Sequence, residues 1–384
     1  MQLLKVFSGT AGSAVKKIKE EEMEEFDGVR CRGEAVESFV KSLVAGAGAS
    51  EESAAAVARA LTDASMRAVD THGVRLTPHY LRGLKAGRIK PNPTVRIERL
   101  SPAVVHVDAD DGLGHLASYR GIEAGIEVAR ENGIAAVAIG RSTHHGATGV
   151  YTLTAARQGF AALGMTNADA IVAPHDGVKA FFGTNPITFA VPAESGNPLL
   201  LDMATSSIPL NRVLLRRDTG TDLPPEVAID GKGEMTVDPF AAAALVPLGG
   251  ANYGYKGAGL AVMVDMLCSA FTGMLHGARL PSFAGDDVTW PARLGHFFII
   301  FDTGAFQPRQ AFANRVAEFL ADLRGQPARP GESVKAPGDP EWAALAERTA
   351  NGLPIDAATW KTLGEFAQSY GCAVPDVIAT TSAH

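Results

Sequence analysis

Two adjacent histidines, His144 and His145, follow a short apolar run and precede Gly146. An imidazole donates or accepts a proton near neutral pH, and α/β proteins often carry their chemistry on loops that follow strands. His144 is therefore a candidate proton donor and acceptor. The alternative is a loop histidine that hydrogen-bonds to the backbone. A metal shared by the two histidines is not expected, because adjacent side chains point in different directions on most backbones.

A second candidate is His72, which precedes Gly73 and is followed by Arg75. A guanidinium can bind a carboxylate through two parallel hydrogen bonds, so this string could hold an acidic substrate. The alternative is a helix C-terminus, where His72 and Arg75 favour the helix dipole and Gly73 is a left-handed cap. Residue types alone favour the helix end.

Polar residues also follow the runs that we predict as strands. Asp169 could accept the second N–H of an imidazole and so fix its tautomer. Asp202 needs a partner if its strand is buried. The run Gly183–Pro186 is typical of a turn.

Lys256 lies in a glycine-rich string that we expect to open an apolar helix from Gly257 to Met274. A lysine and free amides at a helix N-terminus suit a cofactor phosphate or a substrate carboxylate. The alternative is close helix packing through Gly257 and Gly259.

The string Gly112–Ala117 has the form GxGxxA, which resembles a dinucleotide fingerprint. Three aspartates just before it would repel a phosphate, and the next predicted strand ends at Arg141 with no acidic residue for a ribose. We therefore do not expect a Rossmann domain.

The elements that must position these residues change in type along the chain. Helical spacing covers Gly33–Leu43 and Ser50–Ala68, and the prolines within Lys90–Pro93 predict a domain boundary. Beyond it, β-branched apolar runs bounded by turn residues predict strands at Ala103–Val107, Ile134–Ile139, Phe160–Met165, Ile187–Val191, Leu199–Asp202 and Phe297–Asp302. Helices are predicted at Ser118–Glu131, Val150–Gln158, Gln310–Leu323, Glu341–Ala350 and Ala358–Tyr370. An α/β core with helical ends follows.

Length and composition limit the class of protein. The chain has 384 residues, which predicts two domains, and a net charge of -7, which argues against nucleic acid as a partner. Its three cysteines form no CxxC pair, so neither a disulfide scaffold nor a cysteine-ligated zinc is expected. The longest apolar run, Ala258–Met266, is too short to cross a membrane. We expect a cytoplasmic protein with a charged leader over residues 1–28 that carries no chemistry.

In combination, these strings resemble the type 2 malate/L-lactate dehydrogenase family, which also contains ureidoglycolate, sulfolactate and diketogulonate oxidoreductases and a cyclic-imine reductase. The resemblance spans residues 29–370 and rests on six elements in order. They are the HG pair at His72, the SxHxG string at His144, Gly183–Pro186, Asp202–Thr205, Lys256–Gly257 and Pro337–Gly338.

The resemblance implies an α/β protein that binds a nicotinamide cofactor on a non-Rossmann fold. A central mixed-sheet domain over 96–244 would bind the cofactor, and a discontinuous helical domain would combine 29–95 with 245–384. The family's active sites form at a dimer interface, so a homodimer is implied.

The resemblance also implies roles for single residues. His144 would be the proton donor and acceptor, supported by Asp169, although some members assign that role to the histidine that matches His72. Substrate contacts would fall on His72, Arg75, Thr184 and Asn185, and cofactor contacts on Ala168, Asp202, Met203, Ala204, Thr205, Lys256, Pro337, Gly338 and Asp339. No metal is implied.

The expected activity is hydride transfer between NAD or NADP and C2 of a small 2-hydroxy or 2-keto acid. Two alternatives stay open: an NADPH-dependent reductase of a cyclic imine carboxylate, and a catalytically silent nucleotide-binding protein. Selectivity would depend on the pocket around His72, His145 and the partner subunit. Arg216 and Arg217, in a predicted loop, could bind a 2'-phosphate and so favour NADP, or could be a solvated surface pair.

Overall fold

The computed structural model describes residues 27–194, 196–283 and 289–381. The predicted leader lies outside the described residues except for its last two, and Gly28 already begins the first strand. Among the described residues, no helix is long and apolar enough to cross a bilayer.

The structure describes twelve strands, and it describes eleven helices that each have four or more residues. The strands are β1 (Gly28–Cys31), β2 (Arg96–Ser101), β3 (Val104–Asp108), β4 (Ile134–Ser142), β5 (Phe160–Thr166), β6 (Ile187–Val191), β7 (Leu199–Met203), β8 (Ala228–Ile229), β9 (Ala244–Leu245), β10 (Leu294–Asp302), β11 (Leu353–Asp356) and β12 (Val377–Thr381). The helices are α1 (Gly33–Gly46), α2 (Glu51–Met66), α3 (Thr77–Lys85), α4 (Gly114–Asn132), α5 (Gly149–Ala156), α6 (Leu210–Thr219), α7 (Gly250–Ser269), α8 (Thr303–Phe306), α9 (Arg309–Arg324), α10 (Asp339–Asn351) and α11 (Ala357–Tyr370).

A seven-stranded mixed sheet forms the centre, in the order β2-β3-β4-β10-β5-β6-β7. The β3–β4 pair is parallel and the other pairs are antiparallel, which confirms the predicted mixed α/β fold. β10 is apolar on both faces, as a central strand covered on both sides requires, and Phe298 pairs with Val137 on one side and Gly164 on the other.

A second core joins the two ends of the described chain. The three-stranded sheet β11-β1-β12 places Val29 between Ile355 and Thr380. Apolar residues of α1, α2, α3, β11 and α11 form one buried cluster beside it. This cluster supports the predicted helical domain built from both ends. The predicted boundaries stay a prediction, and β10, which they assign to the helical part, lies at the centre of the large sheet.

Most predicted elements are confirmed within a few residues, because caps and turn residues mark their ends. Ser50 caps α2, for example, by accepting a hydrogen bond from Ser53 N–H at 3.2 Å. The predicted start of the long apolar helix at Gly257 is wrong: α7 begins at Gly250, where Gly249 supplies a left-handed N-cap with φ 108°. Gly254–Gly259 therefore lies inside the helix.

Candidate active site

One cavity lies where the central sheet meets the helical cluster. His144 reaches it from the loop after β4, Tyr80 from α3 and Asp169 from the loop after β5. Its remaining walls come from the segment before β2, from the segment before β10 with the first residue of that strand, and from three residues beside the named ones: His79, Arg88, Ile89, Thr143, Ala168, Leu280, Pro281, Phe283, Ala292 and Leu294. The loop histidine predicted as a proton donor therefore lines a pocket.

The imidazole of His144 is held through Nδ1. The Tyr80 hydroxyl lies 2.7 Å from this nitrogen, and the Gly146 backbone N–H donates to it at 3.2 Å. Because a backbone N–H can only donate, Nδ1 accepts in this arrangement, and the proton of the neutral ring lies on Nε2. Nε2 has no hydrogen-bond partner among the described residues.

Burial is the main cause that holds the pKa of His144 well below its ordinary value, and the neighbouring histidines His72 and His79 act in the same direction. Burial also lowers the pKa of His72. At neutral pH both rings are therefore uncharged, and His144 can accept a proton from an alcohol through Nε2 once its own proton lies on Nδ1.

The HG and SxHxG strings contact each other beside this cavity, although His72 is not among the residues that line it. The rings of His72 and His144 are stacked with centroids 5.7 Å apart. Gly146 has φ 74°, and a Cβ there would lie 3.3 Å from the His72 carbonyl oxygen, so the approach favours glycine. His72 Nδ1 lies 2.9 Å from the Thr71 hydroxyl.

Asp169 lines the same cavity but is not hydrogen-bonded to His144 among the described residues. Its Oδ2 accepts the Phe283 N–H bond at 2.9 Å, and the Phe283 ring lies 4.9 Å from the His144 ring. The orienting contact predicted for Asp169 is made by Tyr80 instead, because α3 brings the Tyr80 hydroxyl directly to Nδ1.

His145 is fully buried and does not line the cavity, so the expectation that it shapes substrate selectivity is wrong. Its Nδ1 lies 2.8 Å from the Ser118 hydroxyl and its Nε2 3.0 Å from the Thr148 hydroxyl. Its ring stacks on His296 at 3.9 Å. The two adjacent histidines therefore point to opposite sides of the loop, one to the cavity and one to the core.

The predicted carboxylate clamp at Arg75 is also not at this cavity. Arg75 is exposed and lines a separate depression with Asp70 and Arg348, because the two short 3-10 turns before α3 aim it away from His144. The arginine that does line the His144 cavity is Arg88, whose residue is 4% exposed.

The GxGxxA string lies in surroundings that differ from those of a dinucleotide fingerprint. Gly114 opens α4, and a Cβ there would lie 2.1 Å from the Thr143 carbonyl oxygen. Its N–H donates to the Thr143 hydroxyl at 3.0 Å. The glycine therefore allows α4 to pack against the His144 loop, so the close approach that it permits is to protein backbone.

Several predicted cofactor residues form a connected surface that starts at the cavity. Ala168 lines the cavity, and Gly183 packs so closely on it that a Cβ would lie 2.6 Å from the Ala168 carbonyl oxygen. The Thr184 carbonyl oxygen accepts bonds from the N–H and hydroxyl of Thr205 at 2.9 and 3.0 Å. The turn after β5 and the end of β7 are thus joined.

The turn before α10 joins the same surface from far along the chain. The Pro337 carbonyl oxygen accepts the Leu200 N–H bond at 3.3 Å, and Gly338, with φ 99°, lies against β7. Met203 and Ala204 are half-buried at the end of that strand. Asp339 instead pairs with Arg324 at 2.7 Å, which lowers the pKa of its carboxyl group.

Asp202 is a half-buried carboxylate at the N-terminus of α5. Its Oδ2 accepts the Gly149 N–H bond at 2.9 Å, and burial raises its pKa to about 6 despite that bond. Its Oδ1 has no partner among the described residues. A carboxylate oxygen of this kind accepts bonds from hydroxyl donors such as those of a ribose.

Asn185, predicted to contact the substrate, and Lys256, predicted to contact the cofactor, do not line the cavity. Asn185 is fully buried and donates to the Ala261 carbonyl oxygen at 3.1 Å, so it anchors α7 and does not line the cavity. Lys256 is exposed on the second turn of α7, with Nζ 5.3 Å from the Tyr253 ring centre. Arg217, expected in a loop, lies in α6 and donates to the Pro239 carbonyl oxygen at 2.7 Å.

Sequence reasoning missed Tyr80, His79 and Arg88. His79 stacks on Phe283 at 3.7 Å, and burial together with the charges of Arg88 and Arg82 lowers its pKa to about 4. A signal was present in the sequence, because all three residues lie between His72 and the predicted domain boundary.

These residues fit a nicotinamide cofactor by their donor set and placement. A flat ring could rest beside Ala168 and His144, and Asp202 offers a carboxylate oxygen for a ribose. Gly338 lies on the same surface. The fit rests on side chains from the loop after β5, from β7 and from the turn before α10.

Comparisons with known proteins agree with this geometry. The family model described as "Malate/L-lactate dehydrogenase" matches residues 32–364. A malate dehydrogenase from Pyrococcus abyssi is 34% identical over 341 residues, 87% of this chain and 93% of the relative. The NADP(+)-dependent (2R)-3-sulfolactate dehydrogenase of Chromohalobacter salexigens is 34% identical over 81% of this chain and 90% of its own length.

A relative with a different type of substrate is also similar. The Delta(1)-pyrroline-2-carboxylate reductase of Ancylobacter novellus is 32% identical over 85% of this chain and 94% of its own length. The solved structure of malate dehydrogenase from Pyrococcus horikoshii superposes with a TM-score of 0.81 and 30% identity, covering 90% of this chain and 97% of that one.

The match runs through both cores and through each loop that contributes to the His144 cavity, so fold, site and sequence lead to one conclusion. This chain belongs to the malate/L-lactate dehydrogenase family.

Proposed function

We propose that the protein catalyses reversible hydride transfer between the nicotinamide of NAD or NADP and C2 of a small 2-hydroxy or 2-keto acid. The observation that carries the proposal is the placement of His144. Its Nδ1 is held by Tyr80 and Gly146, while Nε2 is left for a reacting oxygen at the cavity. The cofactor supplies or accepts the hydride, and His144 handles the proton.

With the Tyr80 hydroxyl as its partner, His144 can accept the substrate proton in oxidation and donate it in reduction. In oxidation, Nε2 must carry a lone pair, so Nδ1 carries the proton and donates it to the Tyr80 oxygen. In reduction, the imidazolium protonates the developing alkoxide through Nε2, and Tyr80 again accepts from Nδ1. A hydroxyl can donate or accept, whereas the Gly146 N–H can only donate. The Gly146 N–H cannot stay bonded to a protonated Nδ1, so the proposed mechanism places the proton of the neutral ring on Nδ1, with Tyr80 as its acceptor, instead of on Nε2 as in the described arrangement.

The remaining predicted roles stay part of the proposal. His72 lies on the substrate side of His144, and the Asp169 carboxylate stabilises positive charge in the cavity. Ala168, Asp202, Met203, Ala204, Pro337 and Gly338 form the cofactor surface, and the buried Thr205 joins it to Thr184.

Reduction of a cyclic imine carboxylate is a second candidate. The similarity to a pyrroline-2-carboxylate reductase supports it. Asp169 supports it too, because the acidic side chain in the cavity suits the positive charge of a protonated C=N bond. The two candidates share hydride transfer and differ in the bond reduced.

We also propose a homodimer with the active site at its interface. Apolar side chains along α7 are exposed in the single chain, which is unusual for a surface that stays in water. They include Tyr255, Val262, Met263 and Met266, with exposed fractions of 40% to 53%. A second copy of the chain is the proposed cover. Light scattering should give twice 40.1 kDa.

The proposed location is the cytoplasm. Cys31, Cys268 and Cys372 are free thiols in the structure, and Cys31 and Cys268 are buried. Free thiols persist in reducing compartments, which supports a location inside the cell.

The test is the decay of reduced-cofactor absorbance with NADH and NADPH against pyruvate, oxaloacetate, other 2-keto acids and a cyclic imine carboxylate. Decay with a 2-keto acid, lost in His144→Ala, is expected. Decay with the imine alone would favour the second candidate. Cofactor binding without turnover on any compound would indicate a silent nucleotide-binding protein and contradict both.

A further inference from the structure

One buried histidine links two of the loops that line the His144 cavity. His296 lies on β10, between β4 and β5, and is fully buried. Its Nε2 lies 2.8 Å from the Ser142 hydroxyl and its Nδ1 2.7 Å from the Thr166 hydroxyl. Ser142 is the last residue of β4, and Thr166 is the last residue of β5. A single ring therefore joins the ends of two strands that do not pair with each other.

The two hydroxyls lie equally close along the chain to residues of the cavity. His144 follows Ser142 by two residues, and Ala168 follows Thr166 by two residues. Both His144 and Ala168 line the cavity, whereas His296 is not among its described lining residues. The imidazole of His296 therefore acts on the spacing of the two loops and not on a ligand directly.

His296 is itself held in place by its neighbours. Its ring stacks on that of His145 with centroids 3.9 Å apart. The preceding residue, Gly295, donates its N–H to Asn167 Oδ1 at 3.2 Å, and a Cβ on Gly295 would lie 1.7 Å from the Cys268 carbonyl oxygen in α7. Burial lowers the pKa of His296 to about 3, so the ring stays neutral, with one nitrogen that donates and one that accepts. A hydroxyl can take either role, so both contacts of the ring can be made at once.

The spacing of the two loops matters because the proposed reaction acts on two bonded atoms of one substrate. His144 serves the substrate oxygen, and the surface at Ala168 holds the ring that exchanges a hydride with C2. Transfer needs reacting atoms that lie about 3 to 3.5 Å apart, and a misplacement of about 1 Å can lower the rate about 100-fold. The two loops must therefore keep one spacing.

We propose that His296 is a positioning residue, which sets the distance between the His144 loop and the Ala168 loop and so aligns proton and hydride transfer on one substrate. This inference rests on the proposed function and deepens it, since it assigns a role to a residue that touches neither substrate nor cofactor. None of the six family strings includes His296.

The first test compares crystal structures of His296→Phe and the wild type. Phenylalanine keeps a flat ring in the stack and removes both contacts to the hydroxyls, which can turn to the Thr143 and Asn167 carbonyl oxygens instead. We expect the Cα–Cα distance from His144 to Ala168 to change by about 0.5 Å or more, the tolerance of a preorganised site. An unchanged distance would overturn the inference. This measurement needs no turnover, so its result does not depend on the proposed function.

The second test measures the rate of a single turnover with a 2-keto acid, followed by cofactor absorbance. For His296→Phe we expect this rate to fall about 10- to 100-fold, and for Ser142→Ala about 10-fold, while the affinity for reduced cofactor stays that of the wild type. Ser118→Ala is the matched control, because both serines are fully buried and each hydroxyl lies 2.8 Å from a nitrogen of a buried histidine. Ser118→Ala should leave the rate unchanged.

A purely structural role for His296 predicts a different pattern. In that case His296→Phe would melt at a lower temperature but keep its single-turnover rate far below the unfolding transition, and that result would overturn the inference. An equal loss of rate in Ser118→Ala and Ser142→Ala would overturn it too. If no substrate reacts with the wild type, the proposed function fails, and the loop distance in His296→Phe still decides whether His296 sets the spacing.

Discussion

His144 and His145 are neighbours in the chain with opposite surroundings. His144 has one nitrogen bonded within the protein and the other left for a ligand, whereas both nitrogens of His145 are bonded to buried hydroxyls. Burial lowers the pKa of both rings. The difference therefore lies in unused hydrogen-bonding capacity, and a low pKa by itself does not identify the catalytic histidine.

The largest expected effect is on kcat, and it distinguishes His144 from His145. Replacing His144 with asparagine should lower kcat about 100- to 10,000-fold, because the proton donor is lost. Its unfolding transition in urea should shift only modestly, because the asparagine amide keeps a hydrogen-bonding group for Tyr80 and Gly146, the two partners of Nδ1. Steady-state rates and urea unfolding measure the two quantities. Turnover close to wild type would contradict the role of His144.

The next effect is on stability. His145→Leu leaves the Ser118 and Thr148 hydroxyls buried without a partner, at about 1 to 3 kcal/mol for each unpaired group. We expect the free energy of unfolding to fall by about 2 to 6 kcal/mol in urea titrations. The triple variant with Ser118→Ala and Thr148→Val removes those hydroxyls and should recover part of the loss. No recovery would show that packing against His296 dominates.

A smaller effect is expected at Tyr80. Tyr80→Phe removes the hydroxyl at His144 Nδ1 but keeps the ring, so kcat should fall about 10-fold while KM for substrate changes less. The control is Tyr119→Phe, because the buried Tyr119 hydroxyl has no partner among the described residues and its loss should leave kcat unchanged. A rate in Tyr80→Phe equal to that of the control would mean that Gly146 alone holds the ring.

The smallest effect is on how the free energy of unfolding depends on pH, compared between the wild type and His145→Leu. Burial lowers the pKa of His79 to about 4 and that of His115 and His296 to about 3, against an ordinary value of 6.5 in the unfolded chain. Below pH 6.5 the unfolded state binds more protons, so the free energy of unfolding falls as pH drops from 6.5 toward 4. His145→Leu has one such histidine fewer, so its free energy of unfolding should fall less between pH 7.5 and 5. Equal slopes in urea titrations would contradict a buried neutral His145.

The sequence predicted the large sheet because each strand carries its own signal. β6 lies where the apolar run Ile187–Val191 was predicted, and Gly or Pro marks its ends. Short or exposed strands have no such signal: β2 is exposed along its whole length, and β1 is only four residues long. Their existence depends on partner strands elsewhere in the chain.

The sequence marked His144 as a candidate, and the structure places it beside a cavity, but the orientation of other side chains could not be predicted. His144 was found from its type and its place after a strand. Arg75 lies in the turns before α3 and Arg88 in the segment after it, and spacing in the sequence does not specify how these segments orient each side chain. The contact between Tyr80 and His144 joins segments 64 residues apart, so no local pattern could indicate it.

The central position of β10 has a consequence for folding during synthesis. β4 and β5 are completed early, yet neither pairs with the other, since β10 lies between them. Until the ribosome has made Leu294–Asp302, both strands have an open edge, which is a template for aggregation. More than a hundred further residues must therefore be synthesised after β5 before the sheet can close. A protein truncated before β10 should accumulate in inclusion bodies.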